Sequence, residues 1–183
     1  MKILVAGVGN MLLGDDGFGV EVARRMAGRD LPPGVRVVET GIAGIALVHE
    51  LGEGFDALFV ADAVDRGRPP GTVMVIEPDV VDVATLSLAE RHDLLADMHL
   101  ATPERVFVLA RALGTLPLKL VVIGCQPVDA VNPRRGLSDP VEAALEPAVE
   151  EILRQVNLLL DSEEPLGPSG PLSGEPDRAP VRS

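Results

Sequence analysis

The sequence predicts an α/β protein: a single three-layer domain with a mostly parallel five-stranded sheet, one antiparallel strand and helices on both faces. Three observations carry this. Short, largely apolar runs recur at 3–6, 35–38, 57–61, 72–76 and 119–123. Stretches with helical spacing alternate with them, as in sheets built from crossover units. The connection between the third and fourth runs is short and rich in Gly and Pro. A parallel return needs a dozen or more residues, so the fourth strand is expected to run antiparallel to the third, toward an edge.

Taken in order, the first strand, Ile3 to Ala6, enters a loop with Gly7, Gly9 and Gly14 that ends in adjacent carboxylates, Asp15 and Asp16. The glycines allow backbone angles or close approaches that a side chain would block. Asp15 or Asp16 is expected to cap the next helix, leaving the other free. That helix, Gly17 to about Met26, places Phe18, Val22 and Met26 on one face. A Pro-Pro-Gly turn leads to the second strand, Val35 to Val38, then a loop from Glu39 to Gly44 and a short helix from Ile45 to Leu51. The third strand, Ala57 to Ala61, is apolar throughout, as strands buried on both faces are, and ends at Asp62.

Thr72 to Ile76 is the fourth strand. Residues 78–98 are polar and read only as a loop with some helical turns. Thr102-Pro103-Glu104 is a helix start, with Thr at the cap, Pro in the first position and an acid in the first turn. Val106, Leu109, Ala110 and Leu113 follow helical spacing, and Gly114 stops it. Lys119 to Ile123 is the fifth strand. A last helix opens at Ser138-Asp139-Pro140 and runs to about Leu160. Pro147 interrupts it, as a kink or as the start of a second piece. Residues 1–160 form the domain. In 161–183 more than half of the residues are Pro, Gly or Ser, and a disordered tail is expected.

Composition narrows the function. Of 183 residues, 46% are hydrophobic but only 2% aromatic, so the core is built from Val, Leu, Ile and Ala. A net charge of −12 argues against nucleic acid or an anionic membrane surface as partner and suits a basic protein or a cation. The single cysteine, Cys125, rules out an intrachain disulfide framework and fits a reducing compartment. The N-terminal run is too short for a signal peptide, and no stretch approaches the roughly 20 apolar residues of a membrane span. A cytoplasmic protein is expected.

Sites in open α/β sheets form beyond the carboxyl ends of the parallel strands. Asp15 and Asp16 follow strand one, Glu39 and Thr40 end strand two, and Asp62 ends strand three. His99 precedes a helix that starts at the same rim. Carboxylates with an imidazole suit a borderline divalent cation such as Ni, Zn, Mn or Fe. Carboxylates at strand ends are also ordinary turn-formers, so Asp16 and Asp62 have a purely structural reading too. His49, inside a helix, and His92, near His99, are weaker candidates. A dinucleotide fingerprint fails, because Leu12 stands where its third glycine belongs and two acids would repel a pyrophosphate. No G-x-S-x-G elbow or H-E-x-x-H pair occurs. Cys125 reads as a packed thiol rather than a nucleophile.

Four blocks make the chain resemble the hydrogenase maturation endopeptidases. They are Gly7-Val8-Gly9-Asn10 through Leu13-Gly14-Asp15-Asp16-Gly17, Thr40-Gly41-Ile42-Ala43-Gly44, Val60-Ala61-Asp62-Ala63-Val64, and Gly124-Cys125-Gln126-Pro127 with Gly136-Leu137-Ser138. The resemblance implies an α/β protease, aspartic-type by family naming, that removes the C-terminal extension of a [NiFe]-hydrogenase large-subunit precursor. It implies metal ligands Asp16, Asp62 and His99, with His92 as the alternative imidazole, and a precursor-recognition loop at Glu39, Thr40 and Gly41. The nickel would belong to the substrate. Glu39 stands where the family usually has Asp, and Asp97 where Ser or Thr commonly precedes the histidine. A noncatalytic nickel carrier with the same ligands is the alternative, and a nucleotide-binding α/β protein is the one ranked after it.

Overall fold

The computed structural model describes residues 1–42, 44–87 and 103–162. Five strands, β1 (Ile3–Val8), β2 (Val35–Gly41), β3 (Ala57–Ala63), β4 (Val73–Ile76) and β5 (Lys119–Cys125), form one sheet in the order β2-β1-β3-β5-β4. All pairs are parallel except β4 with β5. The edge position and direction expected of the fourth strand are observed.

Alternation along the central strands builds two cores. Ile3, Val5, Phe59, Val121 and Ile123 face one side. There they meet Phe18, Val22 and Met26 of helix α1 (Phe18–Ala27). Leu4, Ala6, Leu58, Val60 and Val122 face the other side, against α2 (Gly44–Leu51) and α3 (Pro103–Ala112). The first core is closed by α4 (Asp139–Ala143) and α5 (Leu145–Ser162). Helices on both faces make three layers. The helix after β1 and the helix after β2 thus lie on opposite faces, so the chain switches direction beside β1, where α/β sheets open a crevice.

Three strands run further than their apolar cores suggest. β2 includes Glu39 to Gly41, β3 carries Asp62 inside it, and β5 reaches Cys125. Ladder pairing continues through Asp62 with Gly124 and Ala63 with Cys125. The long C-terminal helix is two helices, and Pro147 sits in the first turn of the second, where its missing N–H costs nothing. Asp161 and Ser162 are its last residues; the rest of the expected tail, 163–183, lies outside the described residues. Within 78–98, a 3-10 turn spans Val83–Thr85, and 88–98 lies outside them, as does Thr102.

Neither Asp15 nor Asp16 caps α1. Both sit inside a 3-10 turn, Gly14–Gly17, and Gly17 precedes the helix without a side-chain cap. The turn is forced close to the sheet by glycine. A Cβ on Gly19 would lie 2.0 Å from the Ala61 carbonyl oxygen and 2.4 Å from that of Val8. One on Gly7 would lie 2.2 Å from the Gly19 carbonyl oxygen. Both clashes are with backbone, which cannot swing aside. Gly19→Ala should therefore cost about 3 kcal/mol of stability in urea unfolding. Gly28→Ala should be close to neutral, because its Cβ meets only the Arg25 carbonyl oxygen, at 3.6 Å.

Candidate active site

Asp15 is 2% exposed and saturated with donors. Its Oδ1 accepts from the Ser138 N–H at 2.6 Å, and its Oδ2 from the Ser138 hydroxyl and the Val128 N–H, each at 2.8 Å. The Asp129 N–H donates to the same oxygen at 3.3 Å. Burial alone would raise its pKa; the donors from Ser138, Val128 and Asp129 outweigh it and hold the carboxyl below the usual range. Backbone bonds complete the lock: Gly14 N–H to the Arg134 carbonyl at 2.9 Å and Arg134 N–H to the Leu12 carbonyl at 3.0 Å. Asp15 is the fixed charge that ties the loop after β5 to the loop after β1.

Asp16, one residue on, points elsewhere. Its Oδ2 accepts from the Asn10 N–H at 2.7 Å. Burial raises its pKa and that single bond offsets it only in part. It lines a cleft of about 910 Å³ together with Asp62, Asp65 and Glu104; Arg66 is the one basic residue among the described residues lining it. Asp62, at the end of β3, is 9% exposed. Burial first, then the Asp16 charge, push its pKa up to about 8, against the lowering effect of the Ala63 N–H. The cleft floor therefore holds two carboxyls that cannot comfortably both be ionised.

The wall after β3 is held by Gln126, 5% exposed. Its Oε1 accepts from the N–H groups of Arg66 at 2.8 Å and Arg68 at 3.1 Å. Its Nε2 donates to Asp65 Oδ1 at 2.9 Å and to the Pro127 carbonyl at 3.3 Å. This clamp, the Asp15 lock and the place of Glu104 in the cleft are not legible in the sequence. Their partners are distant in the chain, and only the Gln-Pro and Leu-Ser blocks hinted at them. Cys125 is buried, and burial followed by the Asp15 charge pushes its thiol up to about 12; it is a packed thiol.

The remaining sequence candidates divide. Gly41, at φ +54°, lines the cleft. Thr40 is buried, its hydroxyl donating to the Gly7 carbonyl at 3.2 Å. Glu39 is exposed and pairs with Arg24 at 3.1 Å. The three share a neighbouring depression of about 390 Å³ that meets the cleft at Gly9, Gly41 and Ile42. His49 lies in α2. His99 and His92 lie outside the described residues. Among the described residues, no group of three His, Cys, Asp or Glu side chains is gathered to hold a metal ion, and no helix is long and apolar enough to cross a membrane.

This fold, with an acidic cleft at the carboxyl ends of its parallel strands, is that of a known class of maturation enzymes. The hydrogenase maturation protease (HycI) family matches residues 20–155. The chain is 38% identical over 149 residues to the hydrogenase expression/formation protein HupM of Azotobacter chroococcum, covering 81% of this chain and 68% of that one. It is 36% identical over 156 residues to the hydrogenase 2 maturation protease of Escherichia coli K12, covering 84% and 89%. The structure of the hydrogenase maturating endopeptidase HybD from E. coli superposes with a TM-score of 0.67 at 33% identity, covering 87% of this chain and 94% of that one. The chain belongs to the hydrogenase maturation protease family; it is a hydrolase of the endopeptidase type.

The pKa of Asp62 has a thermodynamic consequence. Its folded value of about 8 stands above its ordinary 3.8. Between the two, the folded protein keeps a proton that the unfolded chain has released, so this group's contribution to stability falls as pH rises and levels off above about 8. In metal-free buffer, Asp62→Asn should therefore gain on the wild type by about 2 kcal/mol or more between pH 5 and pH 8, read from urea unfolding at both. A pH-independent difference would contradict the assignment.

Proposed function

We propose that this endopeptidase removes the C-terminal extension of a [NiFe]-hydrogenase large-subunit precursor after nickel insertion, and that it reads the inserted nickel directly. The observation that carries the proposal is the pairing of Asp16 and Asp62 on one cleft floor, with Asp62 favouring its proton because of burial and the Asp16 charge. Two crowded carboxyls with few donors are a poor resting state and a good cation site. His99 is proposed as the third ligand. Carboxylate oxygens and an imidazole nitrogen suit nickel, which arrives as part of the substrate rather than as a resident cofactor.

The chemistry then follows from the acids. Asp62 releases its proton as the cation enters. The substrate's nickel would polarise the scissile carbonyl or acidify a water beside it, and a cleft carboxylate, Asp16 or Asp62, serves as base. In this sense the protease is aspartic and its metal dependence lies in the substrate. The Glu39–Gly41 stretch, beside the cleft, is proposed to contact the precursor. The work is placed in the cytoplasm, where the reduced Cys125 is at home. Family membership favours proteolysis over a noncatalytic carrier role.

The test is the mass of the large subunit after incubation with this protein, with precursor prepared with and without nickel. Nickel-loaded precursor should be shortened and empty precursor left intact. Asp16→Ala, Asp62→Ala and His99→Ala should each reduce processing by about 100-fold or more while the circular dichroism stays unchanged. Equal cleavage of both precursors, or wild-type rates in the aspartate variants, would refute the reading. An unchanged mass with nickel moved to the subunit would favour a carrier.

A further inference from the structure

Among the described residues, half of the exposed large apolar side chains stand at one edge of the sheet. Leu12, Ile42, Ile45, Val128 and Val131 are 67%, 69%, 63%, 54% and 78% exposed. They occupy the loops after β1, β2 and β5 and the first turn of α2, at the carboxyl ends of parallel strands. Ile42 and Val131 line the acidic cleft itself. Exposed apolar side chains at the mouth of a polar cleft and on the loops beside it are the form of a protein-docking surface.

The backbone at, or next to, four of these residues is hydrogen-bonded. The Val128 N–H is held by Asp15 at 2.8 Å, the Val131 N–H by Asp129 Oδ1 at 2.9 Å, and the Leu12 N–H by Asn10 Oδ1 at 3.0 Å. The Gly9 N–H bonds the Gly41 carbonyl at 3.2 Å, next to Ile42. A surface held in this way loses little freedom on binding. Its centre selects the occupant: Asp16, Asp62, Asp65 and Glu104 line the cleft against Arg66 alone among the described residues and call for positive charge, while the rim calls for an apolar contact face.

We propose that Leu12, Ile42, Ile45, Val128 and Val131 form an apolar collar that docks a folded protein presenting a divalent cation recessed within an apolar surface. This rests on the function proposed above, whose substrate, the nickel-loaded large-subunit precursor, would be that protein. Affinity is then carried by the collar and bond cleavage by the acids inside it.

The experiment is steady-state cleavage of nickel-loaded precursor by the full chain and by Ile42→Ser, Ile45→Ser and Val131→Ser. Each substitution should raise KM by about tenfold with kcat within about twofold of wild type and the thermal midpoint unmoved. Leu158→Ser is the control, since Leu158 is 53% exposed but lies 13 residues along α5, roughly 20 Å from its start; it should change neither constant. Unchanged KM in all three collar variants, with the wild type cleaving normally, would overturn the collar and leave the protease reading intact. Failure of the wild type to shorten nickel-loaded precursor would strike the protease reading instead, and the collar would then be judged by binding of the same precursor in titration calorimetry. Light scattering closes the other route: a wild-type dimer that these substitutions dissolve would assign the collar to a second copy of the chain and refute the proposal.

Discussion

The first turn of α1 lies against the backbones of β1 and β3 at a distance only glycine permits. Gly7 and Gly19 leave no room for a Cβ against each other's segments or against Ala61. Gly7 pairs with Ala61 in the β1–β3 ladder, so the contact sits one residue from Asp62 and three from Asp16. Everything at the cleft follows from it. Larger residues at these positions would lift the helix from the sheet and carry Asp16 away from Asp62. The loop between them adds a second requirement: Gly9, at φ +131°, leaves no space for a Cβ beneath the Asp16 carbonyl. Gly7, Gly9 and Gly19 are a packing device that sets where the two acids stand.

Those acids differ because their donors differ. Asp15 is the more deeply buried of the neighbouring pair by exposure, yet it is the one whose pKa is lowered, because Ser138, Val128 and Asp129 all donate to it. Asp16 has Asn10 alone, and Asp62 has the Ala63 N–H against the combined effect of burial and the Asp16 charge. Burial raises all three; donor supply decides which of them remains a settled charge. Adjacent residues of one chemical type thus divide between holding the site's walls and furnishing its floor. An unpaired buried charge is costly, and at Asp62 a bound proton relieves it; in the proposed function an incoming cation would do the same.

Much of the fold was legible in the sequence, because strand cores announce themselves as apolar runs and a short Gly-Pro connection reverses the direction of β4 relative to β3; that β5 comes to lie between the two was not legible. The strand ends were less so. Ladder bonds depend on register and not on polarity, so β3 continues through Asp62 although its apolar run stops at Ala61. The expected helix cap failed for a related reason: a capping acid and an acid gripped by a loop more than 110 residues later look the same in the sequence. Gln126 was visible only as part of a block, since nothing local shows that its amide will hold the backbone at Arg66 and Arg68. Asp16 and Asp62 were legible as rim residues because topology alone puts the ends of β1 and β3 side by side. His99 lies outside the described residues, so the imidazole remains part of the proposal.

A chain with a net charge of −12 repels most anionic surfaces, and an acidic cleft within it would by itself attract any free cation. What turns such a cleft toward a cation carried by a protein is the company it keeps. Apolar side chains at its mouth gain little from a hydrated ion, which brings its own water, and gain much from a surface that excludes water. Closing the mouth with such a surface lowers the local dielectric and strengthens the attraction between the floor carboxylates and the cation they meet. Docking and charge recognition then reinforce each other. In the proposed reaction, this coupling makes bond cleavage wait on a substrate that supplies both at once.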